Sequence, residues 1–285
     1  MRNTTKMSVT AAVLAALFIV SLFGWRGRAS ADETQNVKVP VIMYHHILKE
    51  PSRWGDYVIS PEEFEEDLRY LAEEGYTAVT ATQLIGFVKY GLPLPEKPVV
   101  LSFDDGHRSF YAYAYPLLKQ YDQKAVVAIV GEYSESYSVG EDHNVAYAYL
   151  SWDEIAELSA SGYAEIQNHT WAMHDNTGRR NGVKRLKGES AEEYAAVLAA
   201  DLGRLQDKLE EITGVRPNTF VYPFGAVSEG SAEILRELGF EAAFDCESKL
   251  NLLAFGDDEA LMRIHRANRR HGRSARQILE KLVGQ

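Results

Sequence analysis

The chain has 285 residues, a formal net charge of −11 and a single cysteine, Cys246. The charge argues against a nucleic-acid partner, which demands a basic surface, and favours a neutral or cationic polymer. One cysteine excludes an intrachain disulfide, and its position just after Ala242-Ala243-Phe244 reads as a small buried hydrophobe.

Arg2 and Lys6 precede an apolar run from Met7 to Trp25, and Ala29-Ser30-Ala31 offers small residues for cleavage before Asp32. This is the order of a secretory signal. Arg26 and Arg28 keep an uncleaved anchor open, since roughly 18 apolar residues span a bilayer. Residues 1–31 are therefore read as a signal peptide or membrane anchor and residues 32–285 as one exported, secreted or cell-surface domain. Contact with a membrane is expected only through that first segment. The remaining length of about 250 residues suits one (β/α) barrel, and a monomer is expected.

Val37 to Tyr44 reads as a first strand ending in His45-His46. Ser60-Pro61-Glu62-Glu63 supplies an N-cap, a proline at the first helical position and a capping-box glutamate for a helix over 61–74, stopped by Gly75. A short strand over 76–80, a helix over 82–90 and a turn through Pro95 lead to the apolar run Val99 to Phe103. That run suits a strand buried on both faces. It ends abruptly in Asp104-Asp105-Gly106-His107, and a helix is expected over 108–121.

Further strands are expected over 125–130, 163–168, 218–222, 240–245 and 261–264. The helices between and after them are expected to start at Ser151 and to span 191–213, 231–238 and 274–283. Residues 131–149 read as a functional loop and 175–189 as a mobile surface loop. Strands alternate with helices throughout, the pattern of a parallel sheet, so the fold class is α/β: a distorted (β/α) barrel of mostly parallel strands in a single domain. Several strands carry unusual polar residues at their carboxyl ends, the active-site face of such a barrel.

Adjacent residues on an extended strand face opposite ways, but a turn at Gly106 lets Asp104 and Asp105 converge. His169 and His174 are five apart, a spacing that does not share one face of a regular helix, so they belong to an irregular turn. Two imidazoles and one carboxylate make a common catalytic metal set, with Asp105 as the carboxylate.

The segments Ser102-Phe103-Asp104-Asp105-Gly106, His169-Thr170 with His174, and Tyr222-Pro223-Phe224-Gly225 together resemble the motifs of the polysaccharide deacetylases of carbohydrate esterase family four. The resemblance runs from about Val39 to the C-terminus. It implies a distorted (β/α) barrel and a divalent metal, usually zinc, with cobalt or nickel as substitutes. It also implies Asp104 as general base, Asp105, His169 and His174 as metal ligands, and an oxyanion-binding N–H at Phe224.

Two departures qualify the resemblance. Trp171-Ala172-Met173 puts three residues between Thr170 and His174 where most of the family has two, a spacing similar to the branch that deacetylates poly-β-1,6-N-acetylglucosamine. In that branch the general acid follows a strand ending in Tyr-His, which Tyr44-His45 matches, so His45 is favoured over His265 at the usual C-terminal position. The second departure is Val221, which stands where many relatives carry the arginine that holds the base. Arg216, Arg263 and Arg266 are all open as its replacement. Trp171, Tyr222 and Phe224 are either walls of a sugar site or core.

The expected function is metal-dependent removal of N-acetyl groups from a polysaccharide, with poly-β-1,6-N-acetylglucosamine ahead of peptidoglycan, chitin and xylan. A glycosidase needs carboxylates about 5 Å or more apart across the scissile bond, which adjacent Asp104 and Asp105 fit poorly. A non-catalytic carbohydrate-binding relative has no use for Asp104.

Overall fold

Pro40 lacks a backbone N–H and splits the first expected strand in two. The computed structural model describes residues 36–140 and 142–284, so the calls on residues 1–31 lie outside the described residues. In chain order the strands are β1 (Val37–Val39), β2 (Val41–Tyr44), β3 (His46–Ile47), β4 (Val58–Ile59), β5 (Thr77–Ala78) and β6 (Pro98–Phe103). They continue with β7 (Ala125–Ile129), β8 (Ala164–Asn168), β9 (Thr219–Val221), β10 (Ala242–Phe244), β11 (Asn251–Leu253) and β12 (Ala267–Asn268).

The main sheet runs β10-β9-β8-β7-β6-β2-β12, with β5 also on β6, and every pairing in it is parallel. This is the expected distorted barrel. β1 leaves it to pair antiparallel with β11, and β3 pairs with β4 beside the barrel mouth. One segment spans the two edges of the sheet: Ile264 bridges to Phe244 on β10, and Ala267 pairs with Ile42 on β2. His265 and Arg266 lie between those two attachments.

β6 is buried along its whole length, as its apolar sequence requires. Helices surround the sheet, and the expected capping boxes at Ser60 and Ser151 both form, each serine accepting from the N3 amide while the N3 glutamate accepts from the serine amide. Behind β2, Arg269 and Asp67 form a buried ion pair at 2.6 Å, and the Tyr44 hydroxyl donates to the same carboxylate at 3.2 Å. That network fastens the segment after β12 to the helix Pro61–Glu73.

Three expectations are corrected. The first turns of the segment 131–149 are a helix, Gly131–Val139, rather than loop. Its sequence, rich in serine, tyrosine and glutamate, carries no apolar stripe to announce it. The last strand is β12, and residues 258–261 are helical, so only Ile264 of the expected 261–264 strand pairs with the sheet. The helix expected over 108–121 contains a π turn at Phe110–Ala114 before the α-helix Tyr115–Gln120.

β6 ends where the backbone turns left-handed at two successive residues, Asp105 (φ 71°) and Gly106 (φ 72°). A Cβ at residue 106 would stand 3.0 Å from Ile129 Cδ1. Gly106→Ala should therefore destabilise the protein by about 1–2 kcal/mol from the backbone alone, read as a lower denaturant midpoint with an unchanged slope.

Candidate metal and catalytic centre

The carboxyl ends of β2, β6, β8 and β9 deliver His45, Asp104, Asp105, His169 and Phe224 to one cleft of about 530 Å³, which His174, Tyr57 and Cys246 also line. Asp105 owes its direction to its left-handed backbone, a conformation aspartate tolerates better than most residues. Oδ1 of Asp105 lies 3.5 Å from Nε2 of His169 and 3.1 Å from Nε2 of His174. One donor atom from each residue falls within 4.8 Å of the others.

The turn that carries the histidines is held at many points. Asn168 Oδ1 accepts from the Thr170 amide, and Asp201 accepts from the amides of Trp171 and Ala172. Thr170 itself is left-handed, with φ 77°. The Tyr133 hydroxyl, on the helix Gly131–Val139, donates to the His174 carbonyl.

The three residues fit a divalent metal. Nδ1 of His169 sits 2.7 Å from the Val221 carbonyl, an oxygen that only accepts, so Nδ1 carries the proton and Nε2 turns its lone pair toward Asp105. Nitrogen and carboxylate donors of this kind suit zinc and its neighbours. Burial raises the pKa of Asp105, but the imidazoles of His107, His169 and His174 outweigh it and hold the carboxyl well below its usual range. His174 moves the other way: burial disfavours its cation, yet Asp105 raises it overall.

Asp104 has different company. Its Oδ1 accepts from Arg266 at 2.6 Å, and its Oδ2 lies 4.0 Å from Nε2 of His45. Burial pushes its pKa up, while Arg266, His169 and His45 together bring it below the ordinary value. Of the three arginines left open by the sequence, Arg266 is the one that reaches Asp104. Arg216 pairs with Asp207 and Glu210, and Arg263 with Asp245 and Glu247.

His45 is half-buried, and desolvation lowers its pKa against the pull of Asp104 and Asp105. The Tyr57 ring packs edge-on against it at 4.8 Å. His265 turns away, with Nδ1 3.0 Å from Asp245, and it is not among the residues that line the cleft. Asp245, Glu247 and His265 also bring donor atoms within 4.8 Å, but Arg263 already bridges the two carboxylates.

The aromatic residues divide. Phe224 is exposed, left-handed at φ 57°, and its ring lies 4.6 Å from His174, so it walls the cleft. Tyr222 is core, its hydroxyl bonded to Ser231 at 2.8 Å, and Pro223 is buried beneath the turn. Trp171 is core too, packed on Trp152 and under the Arg204 guanidinium. Cys246 is half-buried, its Sγ 3.5 Å from Arg266, so it borders the site rather than merely filling the interior.

Sequence reasoning missed His46 and His107. His46 lines the cleft and stacks on His107 with ring centroids 4.2 Å apart. The second oxygen of Asp105 lies 3.4 Å from Nε2 of His107. A histidine two residues after Asp105, across a glycine turn, was the available signal.

The Polysaccharide deacetylase family matches residues 91–243, a stretch that includes Asp104, Asp105, His169, His174 and Phe224 but neither His45 nor Arg266. The poly-β-1,6-N-acetyl-D-glucosamine N-deacetylase of Escherichia coli K12 is 29% identical over 227 residues, covering 73% of this chain and 34% of that protein. The enzyme of the same name from Staphylococcus aureus MRSA252 is 26% identical over 194 residues, covering 68% of this chain and 63% of that protein. The chain thus spans about a third of the length of the first relative and under two thirds of the second.

Among solved structures, a de-N-acetylase from Aggregatibacter actinomycetemcomitans superposes with a TM-score of 0.72 at 26% identity, covering 86% of this chain and 100% of that one. IcaB from Ammonifex degensii does so with a TM-score of 0.66 at 27% identity, covering 84% and 95%. With more than half its length matched and its paired aspartates and histidines gathered at one barrel mouth, the chain belongs to the polysaccharide deacetylase family.

Proposed function

We propose that this chain is a metal-dependent hydrolase that removes N-acetyl groups from poly-β-1,6-N-acetylglucosamine outside the cell. One observation carries the reading: adjacent carboxylates in one cleft have opposite partners, Asp105 facing His169 and His174 while Asp104 faces Arg266 and His45. That separates a ligand from a base. The names of the relatives, the spacing of His169 and His174, and the Tyr44-His45 strand end support the substrate.

A divalent cation, zinc first and cobalt or nickel after it, held by Asp105, His169 and His174 would polarise the acetyl carbonyl and acidify water. Asp104 accepts the proton of the attacking water at Oδ2, because Oδ1 is engaged by Arg266. The Phe224 amide is the donor for the oxyanion. His45 protonates the leaving amine, and its burial, by lowering the pKa, makes the protonated ring a stronger donor. Phe224 and Tyr57, both exposed at the cleft, offer apolar surface to the sugar ring.

Acetate release from β-1,6-linked N-acetylglucosamine oligomers, peptidoglycan, chitin and acetylated xylan, with and without chelator, tests the whole reading. Activity should be highest on the first, vanish on chelation and return with zinc, cobalt or nickel. Full activity in metal-free protein would refute it. Asp104→Asn should keep its metal and lose about 10²- to 10⁴-fold in rate.

His45→Ala should lose a similar factor of about 10²–10⁴ on the amide substrate. An activated acetyl ester, whose leaving group needs no proton, should suffer less. His265→Ala should be mild, and the reverse order of the two histidine variants would move the acid to His265.

Arg266→Met removes the cation that helps hold Asp104 ionised, so the acid limb of kcat/KM should move to higher pH. The same change leaves a buried carboxylate unpaired, at a cost of about 3–5 kcal/mol, measurable as a fall in unfolding free energy. Export is part of the proposal: the mature chain should begin at or near Asp32 by mass spectrometry, and an intact N-terminus in the membrane fraction would mean an anchor.

A further inference from the structure

We propose that His107 is a positioning residue for the metal carboxylate. It holds Oδ2 of Asp105 so that Oδ1 alone is presented to the cation. The inference rests on the metal reading above and goes beyond it, because His107 belongs to neither the ligand set nor the proposed acid and base.

The geometry is specific. Oδ1 of Asp105 faces His169 and His174, and Oδ2 faces His107 at 3.4 Å. The His107 ring cannot swing away freely. His46 lies parallel on one side, with centroids 4.2 Å apart and planes 6° apart, and Tyr149 stacks on it at 4.8 Å and 22°. His46 is in turn fixed, Nδ1 against Ser109 Oγ at 2.7 Å and Nε2 against the Ala146 carbonyl at 3.2 Å.

The backbone is pinned as well. Leu150 donates its amide to the Gly106 carbonyl, and the Arg108 amide donates to the Ala148 carbonyl, which ties the turn to the strand-like stretch at Tyr149. Nδ1 of His107 is buried without a partner. The ionised carboxylate facing Nε2 only accepts, so the tautomer that pairs the two carries the ring proton on Nε2, toward Asp105.

A carboxylate has two oxygens that compete for one ion. Fixing the outer one removes the rotational freedom that Asp105 would otherwise lose on binding, and it keeps Oδ1 in line with the two imidazoles. Groups that orient ligands in this way commonly contribute about 10–100-fold to metal affinity.

The test compares the parent chain with His107→Phe, which keeps a flat ring between His46 and Tyr149 but has no donor, and with His107→Gln, whose amide N–H can replace Nε2–H. Zinc affinity is measured by competition with a chromophoric chelator, and the cobalt-loaded proteins are compared by visible absorption. His107→Phe should bind zinc about 10–100-fold more weakly, with the cobalt band shape unchanged and the metal-free melting temperature close to the parent's. His107→Gln should recover most of the affinity.

Equal affinity in His107→Phe and parent overturns the proposal. So does a changed cobalt spectrum, which would make His107 a ligand, or a loss in His107→Gln as large as in His107→Phe, which would make its role one of packing. A parent chain that binds no zinc, as His169→Ala should not, overturns the metal reading itself and this inference with it.

Discussion

Arg266 and Asp104 are both withdrawn from water, and the rest of the site depends on their pairing. Burying two charges costs several kcal/mol per ion unless geometry and further hydrogen bonds repay it. Here the guanidinium has a partner at each nitrogen: Nε to the Asp245 carbonyl, Nη1 to Asp104 and Ser102, and Nη2 against Cys246. The pair therefore opposes the upward push of desolvation on Asp104 and, with His169 and His45, leaves its pKa below the ordinary value. Its geometry also fixes which oxygen stays free for chemistry.

The two aspartates illustrate how one change of backbone handedness separates roles. Both follow the end of the same strand, Asp104 buried and Asp105 partly so, and they differ by one position, yet only Asp105 takes a positive φ. That single dihedral turns its carboxylate from the arginine toward the imidazoles. Side-chain chemistry is identical, so function is assigned by where the main chain aims each group. Gly106 permits the turn, and the close packing of Ile129 beneath it explains why a larger residue there would be resisted.

Much of this was legible in the sequence because it depended on local signals. Capping boxes, a buried apolar strand and the polar strand ends located the parallel barrel and the strand ends at which Asp104, Asp105 and His169 now meet. What stayed hidden depended on tertiary contact. Arg266 meets Asp104 across 162 residues, and no spacing rule chooses it over Arg216 or Arg263. The helix Gly131–Val139 was obscured because its residues pack through tyrosines around the site rather than through an aliphatic stripe. Trp171 and Tyr222 stayed open between sugar wall and core because they neighbour the motif residues. Their rings instead fill the space behind the turns that aim His174 and Phe224.

The segment between Ile264 and Ala267 spans both edges of the sheet and places Arg266 between its two attachments. Synthesis runs from the N-terminus, so Asp104, Asp105, His169 and His174 all exist before Arg266, the partner of Asp104, has been made. Until that last stretch docks, the barrel has two unpaired edges and a carboxylate with no counter-ion, and the energetic reward for closing it comes late. High contact order of this sort slows folding. The order of the chain thus makes the counter-ion of Asp104 conditional on docking: the carboxylate acquires it only when residues 264–267 have bridged β10 and β2.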